Sequence, residues 1–72
     1  MSSANILLFK TNIFLETDKQ SVYDILTNHE GILKWSIDME DPDKILRIIT
    51  HNLTINNIVD ILADCGYQCE EL

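Results

Sequence analysis

Seventy-two residues, 46% apolar and 24% charged, describe one small globular domain spanning residues 1–72 and exclude a disordered chain. A net charge of −7, from twelve acids against five bases, sets nucleic acid and anionic membrane surfaces against the chain as partners. A domain of this size buries roughly 60% of its unfolded surface and nets about 3–5 kcal/mol. Size therefore favours a binding or carrier module over an enzyme with an elaborate pocket.

The first residues, Met1-Ser2-Ser3-Ala4-Asn5, carry no basic region, and the apolar run Ile6-Leu7-Leu8-Phe9 is broken by Lys10. That run is too short for a signal core or a membrane span. With only two cysteines, the expectation is a reducing, cytoplasmic setting.

Residues 5–13, rich in Ile, Leu and Phe, predict a first strand. Thr17 and Gln20 fit a capping box, with Thr17 as the N-cap of a helix. Val22, Ile25, Leu26 and His29 follow as its apolar stripe, and Gly31 suits a left-handed exit. Residues 32–39 alternate, with Leu33, Trp35, Ile37 and Met39 on one side and Lys34, Ser36 and Asp38 on the other, as in a half-buried strand. Glu40 to Asp43 turn around Pro42, and residues 44–50 return as a third strand. Thr54 caps a second helix with Ile55, Ile58, Val59, Leu62 and Cys65 on one stripe, ended by Gly66. Residues 67–71 make a short last strand.

The order β-α-β-β-α-β, with a central hairpin and two crossover helices, predicts an α+β ferredoxin-like sandwich. Its four-stranded antiparallel sheet carries both helices on one face. Strands one and three are then central neighbours. If Leu7, Phe9, Thr11 and Ile13 point to the helices, Ile6, Leu8 and Lys10 point away. Leu46 and Ile48 inward likewise leave Ile45, Arg47 and Ile49 outward. Ile6, Leu8, Ile45 and Ile49 would then gather on the uncovered face, either as an interface or as β-formers tolerated on a wet face.

Three segments resemble the heavy-metal-associated domain of copper chaperones and metal-pumping ATPases. They are Val22-Tyr23-Asp24-Ile25-Leu26 at the first helix, Gly31-Ile32-Leu33-Lys34-Trp35-Ser36-Ile37 at the second strand, and Gly66-Tyr67 after the second helix. That family carries Met-x-Cys-x-x-Cys at the end of its first strand. Counting back from Val22, Ile13 takes the place of the Met, Leu15 the first Cys and Asp18 the second. A soft Cu(I) ion wants two thiolates, so the resemblance implies this fold without the family's metal site.

Other groups are read both ways. Cys65 and Cys69 form a Cys-x-x-x-Cys that could hold Cu(I) or Zn(II), with help from His29 or His51. Alternatively, Cys69 is a small core residue and Cys65 closes the helix stripe. Asp38, Glu40, Asp41 and Asp43 crowd the hairpin as a hard-cation site, a docking patch for a basic partner or a solvated turn. No midpoint glycine or closing glutamate favours the cation reading. No nucleophile–base pair, phosphate loop or carboxylate pair can be identified, so no enzyme is expected.

The sequence thus predicts a non-enzymatic interaction or self-association module with no cofactor. A protein partner, or a homodimer, would dock on the open sheet face. Metal trafficking or sensing through Cys65 and Cys69 is the first alternative. A small-ligand-sensing regulatory domain is the second, although residues 12–18 lack the glycine such domains place there.

Overall fold

The computed structural model describes residues 4–72; Met1 to Ser3, on which the leader reading partly rests, lie outside the described residues. The elements are β1 (Asn5–Thr11), α1 (Glu16–Thr27), β2 (Lys34–Ile37), β3 (Leu46–Thr50), α2 (Ile55–Ala63) and β4 (Cys69–Glu71). Their order is the expected one. The strands form one antiparallel sheet ordered β2-β3-β1-β4, so β1 and β3 are the central neighbours.

One face of the sheet is covered and the other is open. Phe9, Leu46 and Ile48 point to the covered face and have no exposed surface. They meet Val22 and Leu26 of α1 and Ile58 and Leu62 of α2, the buried positions of the two helices. Ile13 and Ile32 complete this core from the loops. Fully burying side chains of this type contributes roughly 1.5–3 kcal/mol each before conformational entropy is counted.

Two buried threonines pin loops to the ends of the central strands. Thr50 Oγ1 donates to Gly31 O at 2.6 Å and accepts from Leu53 N at 3.1 Å. Thr11 Oγ1 donates to Lys44 O at 2.7 Å and accepts from Ile13 N at 3.3 Å. Each hydroxyl therefore uses both donor and acceptor capacity, as burial demands. On the sheet's far edge, Trp35 Nε1 donates to Thr27 Oγ1 at 3.2 Å, and its ring meets Tyr23 edge-to-face at 5.9 Å between centroids.

Four local expectations are corrected. The N-cap of α1 is the extended Leu15, not Thr17, which lies inside the first turn. At the exit, Asn28 caps α1 in a right-handed conformation, and Gly66 is the described glycine with positive φ. Gly31 is required for space instead: a Cβ there would lie 2.8 Å from Leu53 Cγ. Strand β2 covers only Lys34–Ile37; Ile32 turns inward and Leu33 is 55% exposed, opposite to the alternation read from the sequence. Cys65 does not close the α2 stripe but lies exposed beyond the helix end.

Both ends of α2 follow the sequence. Thr54 Oγ1 accepts from Asn57 N at 3.2 Å while Asn57 Oδ1 accepts from Thr54 N at 2.9 Å. At the other end Tyr67 N donates to Leu62 O and Gly66 N to Ala63 O, with Gly66 at φ 90°. This pair of bonds closes a helix onto a left-handed glycine.

Candidate functional site

The loop from β1 to α1 sits where the family resemblance would place a metal. Ile13 is buried and anchors it, while Phe14 and Leu15 are 59% and 62% exposed. Asp18 holds the loop in shape. Its Oδ2 accepts from Leu15 N at 3.2 Å, and its Oδ1 accepts from the Tyr67 hydroxyl at 3.1 Å. Asn12 ties the loop to the same segment: Asn12 N donates to Gln68 O at 3.2 Å, and Asn12 Oδ1 accepts from Gln68 N at 2.9 Å.

These residues do not fit a soft metal ion. Leu15 has no donor atom, and both oxygens of Asp18 are committed to structural bonds. Among the described residues no group of three or more His, Cys, Asp or Glu is placed to hold a metal.

Cys65 and Cys69 are free thiols in different surroundings. Cys65 is exposed and its Sγ donates to Ile61 O at 3.3 Å. Cys69 is half-buried on β4, paired across the sheet with Thr11. Burial pushes its thiol from 9.0 up to about 11, which opposes the thiolate a metal needs. His29 Nδ1 accepts from Gly31 N at 3.0 Å, so that histidine serves a turn, and His51 is exposed after β3. The hairpin acids likewise serve the turn: Asp38 Oδ1 accepts from Glu40 N and Asp41 Oδ1 from Asp43 N, at 3.1 and 2.8 Å. A broad depression of about 500 Å³ lies at the β4 edge beside Val59, Tyr67 and Cys69.

The open sheet face is the remaining feature. Ile6 pairs directly with Ile49, and Ile49 with Lys34, forming one row across the sheet. Leu8, Arg47 and Ser36 form the next row. Leu72, whose N–H donates to Leu8 O, extends that row and is 62% exposed. Ile6 and Leu8 are 54% and 41% exposed. Ile45 is half-buried, precedes β3, and is separated from Ile49 along the chain by Arg47. Leu72 thus joins the apolar patch expected from Ile6, Leu8, Ile45 and Ile49, with Ile45 half-buried at its end, just before β3.

Sequence reasoning placed Lys10, Lys34 and Arg47 on outward positions without assembling them. The strand register brings all three onto this face, with Glu70 opposite Lys10. Alternation within each strand carried the signal; the pairing of strands was needed to combine it. A groove of about 260 Å³ runs over this face beside Lys34, Ser36, Arg47 and Ile49.

Comparison with solved structures agrees with this architecture. The chain is similar to the apo form of the heavy-metal-associated domain of the copper chaperone for superoxide dismutase, with TM-score 0.84 and 17% identity, covering 100% of this chain and 70% of that one. It is also similar to oxidized MerP from Ralstonia metallidurans CH34, with TM-score 0.80 and 12% identity, covering 96% and 97% of the two chains. No family model and no curated sequence matches the chain. The fold of heavy-metal-associated domains is thus present at low sequence identity. Among the described residues no helix is long and apolar enough to cross a membrane.

Proposed function

We propose that this domain is a non-enzymatic, cytoplasmic protein-interaction or self-association module that docks through its open sheet face. It does not hold metal at the loop where its structural neighbours' family resemblance would put one. The observation that carries this reading is the uncovered row of Ile6 and Ile49 beside Leu8 and Leu72, on strands rigidly paired to the core. Contiguous apolar surface of this kind is characteristic of interfaces. The loop supports the same reading from the other side, because Leu15 and Asp18 offer no soft donor and serve local structure.

Metal trafficking through Cys65 and Cys69 gains no support from their surroundings, since one thiol is held protonated by burial and the other is bonded to its own helix. Docking is tested by photo-crosslinking in producing cells, with benzoylphenylalanine in place of Ser36 on the open face or of Asp24 on α1. Adducts or self-crosslinks are expected from position 36, and they should be lost when Leu8→Thr and Ile6→Thr are added. Those two changes keep β-forming side chains at exposed positions, so the fold survives. Equal crosslinking from both positions, or crosslinks indifferent to Leu8→Thr, would overturn the reading.

A further inference from the structure

Strand β4 is an outer strand, paired on one side to β1 and free on the other. Asn12 N donates to Gln68 O and Leu72 N to Leu8 O, so Gln68, Glu70 and Leu72 are the residues bonded across this ladder. Alternation then turns the N–H and C=O groups of Cys69 and Glu71 to the free edge. Their side chains lie on the helix-covered side, because they pair with the buried Thr11 and Phe9, while Glu70 lies on the open side. Beside this edge is the depression of about 500 Å³, lined in part by Val59 and Ala63 of α2 and by Tyr67 and Cys69. Free backbone groups next to a partly apolar groove are what an extended segment needs to join a sheet as an added strand.

Acids dominate the surroundings of this edge. Glu70 and Glu71 lie on the strand, Asp60 and Asp64 follow Val59 and Ala63 in the chain, and Asp18 bonds the Tyr67 hydroxyl. Against these five stands Lys10, directly across from Glu70, but its Nζ is turned to Asp43 Oδ1, 3.9 Å away. The other bases lie elsewhere. Lys34 and Arg47 are on β2 and β3, and Lys44 Nζ donates to Met39 O in the hairpin. Lys19 shares with Tyr23, four residues on, the flank of α1 that meets Trp35 of β2. Among the described residues Glu70, Glu71, Asp60 and Asp64 form no ion pair.

We propose that the β4 edge takes an extended, basic protein segment as a fifth strand. The segment's main chain bonds to Cys69 and Glu71, alternate Lys or Arg side chains face Glu70, and the apolar side chains between them enter the depression beside Val59 and Tyr67. This edge is the one farthest from β2, and binding there is independent of docking on the open face. A second copy fits less well. Pairing β4 antiparallel with itself over Cys69–Glu71 sets Glu70 against Glu70, and like charges directly opposite destabilise a sheet. An acidic segment meets the same five acids, and the net charge of −7 repels it at longer range as well. Local and global charge therefore both select a cationic strand.

The test is an amide NMR titration of the intact protein with a synthetic peptide alternating valine and lysine, and with its valine–glutamate counterpart. The valine–lysine peptide should shift the amides of Cys69 and Glu71 and slow their hydrogen exchange, because both gain acceptors at the edge. The exposed double variant Glu70→Gln, Glu71→Gln should weaken binding by roughly tenfold, the scale of 1.4 kcal/mol. The same peptide N-methylated at its valines keeps every charge but loses the main-chain donors that face β4, and it should not bind. A valine–lysine peptide that leaves Cys69 and Glu71 unmoved, or that binds the double variant equally, overturns the proposal. So does equal binding of the N-methylated or the valine–glutamate peptide, or protection of the same two amides that rises with protein concentration alone, which would mark a second copy as the occupant. None of these results touches the crosslinking from position 36, which decides the open face separately.

Discussion

Asp18 accepts two hydrogen bonds on one carboxylate, from the backbone of Leu15 and from the hydroxyl of Tyr67. The first shapes the start of α1, and the second links that start to the segment after α2. Removing both at once should cost about 1–2 kcal/mol. Urea unfolding should therefore show Asp18→Ala clearly less stable than Tyr67→Phe, which deletes only one of the bonds; equal losses would mean that the Leu15 bond contributes nothing. The two cysteines should differ in reactivity. At pH 8, iodoacetamide is expected to label the exposed Cys65 while sparing Cys69, whose thiol is held protonated up to about 11. Because the folded state keeps that proton where the unfolded chain, at 9.0, loses it, the stabilising contribution is complete below 9.0 and disappears as pH rises through about 11. Urea unfolding of wild type against Cys69→Val should show that extra alkaline loss in the wild type alone.

The helices show how far local signals reach. Thr54 and Asn57 form the reciprocal cap that their spacing announces, because nothing else competes for either side chain. Thr17 and Gln20 present a similar pattern, yet the helix begins earlier, at Glu16, with Asp18 reaching back to Leu15. An acid at the third helical position bonds the N–H of the extended residue before the helix, the reaching-back half of a capping box, and burial of Ile13 fixes where the chain must turn. Circular dichroism melts should accordingly show Thr54→Ala losing about 1 kcal/mol and Thr17→Ala nearly none. Equal effects would restore Thr17 as the cap. Strand β2 tells the complementary story: alternation in residues 32–39 was legible, but its phase at Ile32 and Leu33 was not. Thr50 holds the carbonyl of Gly31, and Gly31 packs on Leu53, so the approach to the strand is set by β3 and the loop after it.

At the scale of the whole molecule, a fold shared with heavy-metal-associated domains is combined with a loop in which Leu15 and Asp18 offer no soft donor and an uncovered sheet face that carries Ile6, Leu8 and Ile49. Native mass spectrometry of the reduced protein, titrated with Cu(I) and Zn(II) against a chelator, should find no tightly held ion. Introducing Leu15→Cys together with Asp18→Cys should create binding of one Cu(I). One ion held by the wild type and lost in Cys65→Ser would instead revive the thiol reading. The order of elements, the inward parity of β1 and β3, and the missing thiols at Leu15 and Asp18 were determined by the sequence itself, because periodicity and residue chemistry are local properties. The placing of Lys34, Arg47 and Leu72 beside Ile6 and Leu8 was decided only by the tertiary structure. These residues are far apart along the chain, and they become neighbours through the pairing of β1 with β3 and β4, and of β3 with β2, whose register is selected by burial of Phe9, Leu46 and Ile48 on the opposite face.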